Sequence, residues 1–368
     1  MSDLNTQPTP VARQPRGAVL VNDVLVPWES FEVTNNTTFD ADEFRVWLPL
    51  SSLPAELPVD TLASGKSLRV QVRAGIGADK SVAQLQHLIT GRADDVSVDY
   101  ARGMVELSGR DFTGLFIDRK TTEKFANMTA GAIARVLAAR VGLLPVVKDT
   151  AKLVGSYYAI DHALMTREVS EWDLLTWLAR QEGFAVYVSG SELHFEPKPS
   201  EKGAPYVLQW TPPADGAPSF TGMDLRLSRN LTVARDVTVT VRSWSAKGKK
   251  VVEATYPKGK HKGAAAGTSG ASQPDGYVRN IPGLTHEQAI QRAQAIHAEI
   301  TAHEMKLDVT LPADELLTTT VPVSLRGTGT AFDQIYYPES ITRRMSMTDG
   351  YLMTLRAKNR SPDNEVTL

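Results

Sequence analysis

The 368-residue chain contains no cysteine. That excludes disulfides, thiolate metal sites and a cysteine nucleophile, and leaves packing, helped by association between chains, to hold the fold. No apolar run approaches the roughly 18 residues that a membrane helix needs, so no membrane insertion is expected. The first 16 residues carry Pro8, Pro10 and Pro15 among scattered apolar positions; without the apolar centre of a secretory signal, residues 1–16 read as a flexible arm. A strong charge of either sign is also missing. The 40 basic and 42 acidic residues leave a formal charge of −2, which gives no global attraction to nucleic acid.

What is present is an ordinary globular composition, 42% hydrophobic and 22% charged, over a length that suggests two or three domains. The stretch Ser108–Asp118 divides the chain. Ahead of it, short alternating runs recur between turn residues. Val19 and Val21 precede Asn22-Asp23, and Val24, Val26 and Trp28 follow, which predicts a hairpin. Phe44, Val46 and Leu48 alternate with Arg45 and Trp47, and Leu68–Arg73 alternates likewise. Runs at 87–90, 96–98 and 104–107 continue the series, with Asp99–Gly103 as a turn. Evenly spaced strands of this kind predict a first β-barrel or sandwich domain over 17–118.

Behind the divide the period becomes helical. Thr129 is a candidate N-cap for a helix striped by Ile133, Val136, Leu137 and Val141, with Arg135 and Arg140 to solvent and Gly142 as the stop. Ser170-Glu-Trp-Asp173 opens a second helix that Gly183 ends. The alternating runs at 184–188 and 193–195 then make a hairpin. This small α+β region, 119–200, is too small for a large core of its own and is expected to pack on a neighbour.

The remainder, 201–368, predicts a second barrel-like β domain. Val237, Val239 and Val241 alternate, the capping box Thr285-His-Glu-Gln288 opens an inserted helix over 285–303, and Met305, Leu307, Val309 and Leu311 face one way on the strand that follows. Asp349-Gly350 marks a closing hairpin. The lysine- and glycine-rich run from 247 to 276 reads as an exposed, disordered loop. The fold class is therefore α+β and β-rich, two antiparallel barrel-like domains with smaller α+β elements between them.

Catalytic and metal-binding patterns are weak throughout, and no enzyme, no cofactor and no metal is expected. His286 and His297, eleven residues apart on one predicted helix, would stand about 16 Å apart, too far to share an ion. His303 points away from both, so the i, i+4 pairing of a zinc site is missing. Gly75-Ile-Gly77 and Gly327-Thr-Gly-Thr330 lack the third glycine and following helix of a phosphate loop and read as turns. Asp111 and Asp118 read as solvated or capping carboxylates, and Asp94-Asp95 and Asp161-His162 as turn or strand-end polarity. The lysines of 247–262 could touch phosphate or an acidic partner, but such runs are usually solvated. Trp172, Trp177 and Trp210 could form a carbohydrate platform, although Trp172 and Trp177, five apart on a helix, face different ways, which places at least one in the core.

Taken in order, these segments resemble the baseplate hub proteins of contractile-tailed phages, the late control D or Mu-type tail hub family, related to the hub part of type VI secretion spikes. The resemblance rests on Val19–Asp23 with Trp28, Gly109–Asp118, Ser170–Phe184 leading to Leu193-His-Phe195, Val237–Trp244, and Ala289–Leu311 with Gly350–Leu355. It implies a homotrimer, closed as a ring whose barrels mimic the sixfold tail tube and surround the channel for DNA ejection. Implied partners are the central spike protein, the tail tube or distal tube adaptor protein, the tape measure protein, and phage DNA only in transit. The implied location is the virion tail baseplate, assembled in the bacterial host cytoplasm. One departure is visible: Pro312-Ala-Asp-Glu-Leu-Leu317 stands where the family often has a glycine-rich turn. Two other readings are a peptidoglycan-binding or hydrolytic tail protein that grips glycan through Ser170–Phe195, and the hub of a phage-like secretion particle. The residues that contact partners or line a channel are unknown from sequence.

Overall fold

The computed structural model describes residues 14–77, 79–121, 125, 128–151, 153–154, 169–197, 204–213, 218–230, 237–245, 250–257, 275–281, 284–301 and 305–359. The fold is β-rich with few helices, and the chain divides into two units that are each discontinuous in sequence.

The first unit comprises Met1–Tyr206, Thr310–Pro322 and Pro338–Leu355. Its main sheet is built from β1 (Pro15–Val21), β2 (Val24–Val26), β3 (Ser30–Asn36), β4 (Glu43–Pro49), β5 (Arg69–Ile76), β6 (Gln86–Asp99) and β7 (Met104–Asp111). The order is β2-β1-β5-β6-β7-β4-β3, and Ser340–Ser346 then adds antiparallel to β3. This path is open among the described residues.

The hairpin between β1 and β2 turns at Asn22 and Asp23, both at positive φ, the conformation a two-residue turn requires. Alternation places Val19, Val21, Phe31, Val33, Phe44, Val46, Leu48, Val70, Val72, Val105 and Leu107 in the core, each at most 1% exposed. Burial of such side chains is worth about 1.5–3 kcal/mol apiece. The sheet curls enough that a Cβ added at Gly17 on β1 would stand 2.7 Å from the Phe31 ring on β3.

Two sequence expectations change here. The runs at 87–90 and 96–98 belong to a single 14-residue strand, β6. A register shift between Ala93 and Asp95 breaks its alternation and disguises it as two. Pro15 and Arg16, assigned to the arm, lie in β1; Gln14 directly precedes it, and residues 1–13 of the arm are outside the described residues.

The helix Ala130–Arg140, the helix Glu171–Glu182 and the hairpin Phe184–Ser189/Glu192–Pro197 complete this unit's α+β part. Both caps form as expected. Thr129 Oγ1 accepts from Ala132 N at 3.2 Å, and Ser170 and Asp173 exchange the two bonds of a capping box. One core joins Ile133, Leu137, Trp172, Leu175, Leu178 and Phe195, together with Phe116 from the short helix Thr113–Ile117. Arg140 is exposed, as expected, and also donates to Glu171, which is 3% exposed.

The second unit comprises Val207–Val309, Val323–Tyr337 and Arg356–Leu368. In it, Val237–Ser245 lies between Lys250–Tyr256, antiparallel, and Asp275–Asn280, parallel. The helix His286–Thr301 covers this sheet, packing Ala289 and Ala293 on Val237, Val239, Val241 and Ala254. Lys250–Tyr256 falls within the stretch expected to be a disordered loop. Its lysine-rich flank hid a run in which Val252, Ala254 and Tyr256 alternate toward the helix. Residues 247–249 and 258–274 lie outside the described residues.

Candidate functional site

The polar groups of the first unit converge on a cleft of about 270 Å³. Its walls come from the β3–β4 connection, the start of β6, the hairpin turn at Tyr187–Gly190, Thr318–Thr320 and Arg343. The β3–β4 connection is Asn35-Asn-Thr-Thr-Phe-Asp-Ala-Asp42, rich in residues whose side chains replace backbone partners in turns. Here Asp42 does so twice, accepting from Asn36 N at 2.7 Å and from Asn35 Nδ2 at 2.8 Å. Asn35 Nδ2 also donates to Leu88 O at 2.9 Å, which ties the loop to β6.

Phe39 is the pivot of this loop. Its φ of 91° is a conformation that side chains rarely adopt. Three contacts hold it there: its N–H donates to Val186 O at 3.2 Å, its carbonyl accepts from Trp172 Nε1 at 2.8 Å, and Arg180 lies over its ring at 5.1 Å. The loop therefore pins the helix-hairpin element to the main sheet.

Two carboxyls line the cleft, Asp111 buried and Asp42 half-buried. Asp42 is pushed up to about 6 by burial, against the lowering effect of its bonds from Asn35 and Asn36. Asp111, 6% exposed, is raised well above the usual carboxylate range by burial and then by Asp42. Its oxygens accept from Thr113 N at 3.0 Å and Thr113 Oγ1 at 3.1 Å, and its own N–H donates to Asp42 O. His87 contacts Thr90 Oγ1 through Nε2 at 2.7 Å and is held below its ordinary value by burial, then by Arg73 and Arg69.

Opposite them Arg343 is 3% exposed. It donates to Asn35 Oδ1 at 3.3 Å and to the carbonyl of Leu317, while its Nε has no partner. Asp314 accepts from Leu316 N, Leu317 N and Tyr206 Oη. That shapes the Pro312–Leu317 turn without glycine, which accounts for the sequence departure there.

The residues singled out in sequence do not assemble into one site. Asp111 is the capping carboxylate expected, yet it is buried rather than solvated, while Asp118 joins Asp94 around Arg92 and Arg110 in a surface ion-pair group. Gly75 lies in β5 rather than a turn, at a place where a Cβ would stand 2.2 Å from Glu315 Oε1. Gly327 and Gly329 do form a turn, at positive φ, with Asp333 accepting from Thr328 N and Gly329 N. His297 packs edge-on to Tyr256 at 5.2 Å. His303, Asp161, His162 and most of the lysine run lie outside the described residues. Trp172 is 5% exposed and Trp177 packs partly buried against the same core, so they present no open aromatic platform. Asn35, Asp42, Gln86 and Arg343 were not anticipated. The run Asn35–Asp42 was the available signal, a cluster of Asx and Thr too long for a simple hairpin turn.

No family model matches the chain, and neither does any curated protein. Solved structures do. The tail protein from Neisseria meningitidis superposes with a TM-score of 0.68 at 16% identity, over 94% of this chain and 96% of that one. The tail protein of prophage MuSo2 from Shewanella oneidensis gives 0.64 at 15% identity, over 94% and 98%. A chain of the Francisella PdpA–VgrG complex gives 0.53 at 8% identity, over 94% of this chain and 58% of that one. The resemblance read from the sequence therefore holds in three dimensions: the chain has the fold of phage tail proteins.

Proposed function

We propose that this chain, having the fold of phage tail proteins, is the structural baseplate hub of a contractile tail. The observation that carries the reading is the end-to-end match to two tail proteins, which leaves little of either partner unaccounted for. In this reading residues 17–118 and 201–368 serve as two barrel-like domains around the small α+β elements of 119–200. Three copies close into a ring between the central spike protein and the tail tube or its distal adaptor, with the tape measure protein as a further neighbour and DNA crossing only in transit. The protein works by shape rather than catalysis, within the virion baseplate, after assembly in the host cytoplasm. The outer strands of the second unit's three-stranded sheet, Lys250–Tyr256 and Asp275–Asn280, support this reading, since edge strands of this kind are commonly covered by a neighbour in an assembly.

Light scattering of the purified protein, alone and with the neighbouring spike protein, tests the proposal. A mass of 40.1 kDa per copy predicts a species of about 120 kDa. A monomer that ignores both spike and tube subunits would sink it. The Francisella match supports a second reading, the hub of a phage-like secretion particle; genes for a capsid and portal beside this one favour the phage, and their absence beside an intact tail cluster favours the particle.

A further inference from the structure

The near-neutral chain conceals a split of charge. The first unit holds 30 acidic and 23 basic residues and the second 12 acidic and 17 basic, a formal −7 on one and +5 on the other. The second unit's basic residues include the six lysines from 247 to 262. Between copies, like units repel and unlike units attract, so the favoured encounter brings the first unit of one copy to the second unit of the next.

Each unit also presents an apolar surface of its own. On the outer face of the main sheet Ser346, Ser30, Trp47, Glu106 and Ser97 stand in register, one row across five strands. At a spacing of ~4.8 Å per strand that row is about 19 Å long. Half-buried Trp47 and Met104 line a shallow depression along it, beside the carboxylates of Glu29 and Glu106. Met347 follows Ser346, and Tyr100 follows Asp99 in the turn after β6. At 75% and 76% they are the most exposed large apolar side chains among the described residues. In the second unit, the helix His286–Thr301 covers one face of the three-stranded sheet. The opposite face carries Trp244, 54% exposed, with Val251 directly across from it and exposed Val278 on the far strand. Polar groups between them are satisfied: Arg242 Nε donates to Glu253 at 3.1 Å, and Thr240 and Thr255 share a hydrogen bond of 2.9 Å. What this face offers a partner is therefore mainly apolar area, with Lys247, Lys249 and Lys250 between Trp244 and Val251 in sequence. An apolar centre with a polar rim is the anatomy of a protein interface, and here the two rims have opposite sign.

We propose that the Trp47 face of one copy docks against the Trp244 face of a second copy, head to tail. Each copy carries one of each surface, so the contact repeats from copy to copy and closes a ring where the rotation allows. This rests on the reading of the protein as a ring of copies and names the surfaces that join them.

The experiment is sedimentation velocity on the full chain at low salt and at about 1 M salt, where charges are screened within about 3 Å. The wild type should sediment near 120 kDa at low salt and shift toward 40.1 kDa at high salt. Tyr100→Ser and Trp244→Ala should each raise the concentration of half-association by on the order of tenfold. Glu29→Lys with Glu106→Lys should do the same, as should Lys247→Glu with Lys249→Glu, and all four together should restore association. Tyr100 is exposed in a turn, so Tyr100→Ser keeps the test decisive where another variant does not fold. Unchanged association of folded Tyr100→Ser and Trp244→Ala, or no recovery in the fourfold variant, would overturn the docking and leave the hub reading standing. A wild-type monomer that still binds the spike protein would do the same, whereas a monomer that ignores both spike and tube subunits would remove the hub reading itself.

Discussion

Asp42 couples one residue's burial to the stability of its unit. Its folded value of about 6 lies above the ordinary value of 3.8, so between those limits the folded state holds a proton that the unfolded chain releases. The stability tied to that proton is fully present below 3.8 and is lost as the pH rises through 6. Asp111 acts in the same direction, and His87, depressed, acts in the opposite one below 6.5. Comparing the wild type with Asp42→Asn removes the contribution of His87 and the part of Asp111's that burial causes, while the part that Asp42 causes in Asp111 is read together with Asp42 itself. Between pH 5 and 7.5 the wild type should lose about 1.4 kcal/mol relative to the variant in urea unfolding. A parallel pH profile for the two proteins would mean that Asp42 is solvated in the fold. Little of this was readable beforehand, since Asp42 sits in a polar loop; the loop is tied down by Asn35, which bonds both Asp42 and Leu88 of β6, a strand distant along the chain.

At the scale of the element, caps and turns were legible and crossings were not. Ser170 and Asp173 were identified as a helix start because the bonds they make are local, and Ser170→Ala should cost about 1 kcal/mol in thermal or denaturant unfolding. The same locality revealed the turns at Asn22-Asp23 and Gly350. Gly91 and Gly109 gave no such signal. They lie on β6 and β7, Gly91 opposite Asp111 and Gly109 opposite Ala93, where a Cβ at Gly91 would lie 2.0 Å from Arg110 O and one at Gly109 would lie 2.1 Å from Arg92 O. Both clashes are with backbone, which cannot rotate away, so Gly109→Ala should destabilise by more than about 2 kcal/mol, and Gly103→Ala, whose Cβ meets nothing within 4 Å but whose φ is +66°, by only about 1 kcal/mol. Equal effects would show that the β6–β7 crossing yields easily. Strand Lys250–Tyr256 was missed for a related reason: composition around it is a poor guide to a pattern that only its partner, Val237–Ser245, makes useful.

For the whole molecule, the fold was legible as an order of elements before any one element was secure, and the tail-protein match bears that order out. What the order could not reveal is how far the chain returns on itself. Ser340–Ser346 pairs with β3, and Thr34 meets Thr342 at 2.9 Å across a separation of 308 residues. A chain ending at Tyr337 should therefore leave β3 with an open edge, and such a protein should be recovered as aggregate, or with β3 amides that exchange rapidly with deuterium. Recovery of a soluble first unit with β3 protected would show that the returning strand is dispensable.

The return of Ser340–Ser346 also sets a clock. While the ribosome is still making the second unit, β3 waits at the rim of an unfinished sheet, and the Asn35 that will receive Arg343 waits with it. Only a polypeptide synthesised past Ser346 can seal that rim, so a copy whose translation stops before it stays unsealed, exposed to proteases before it can be incorporated into anything larger.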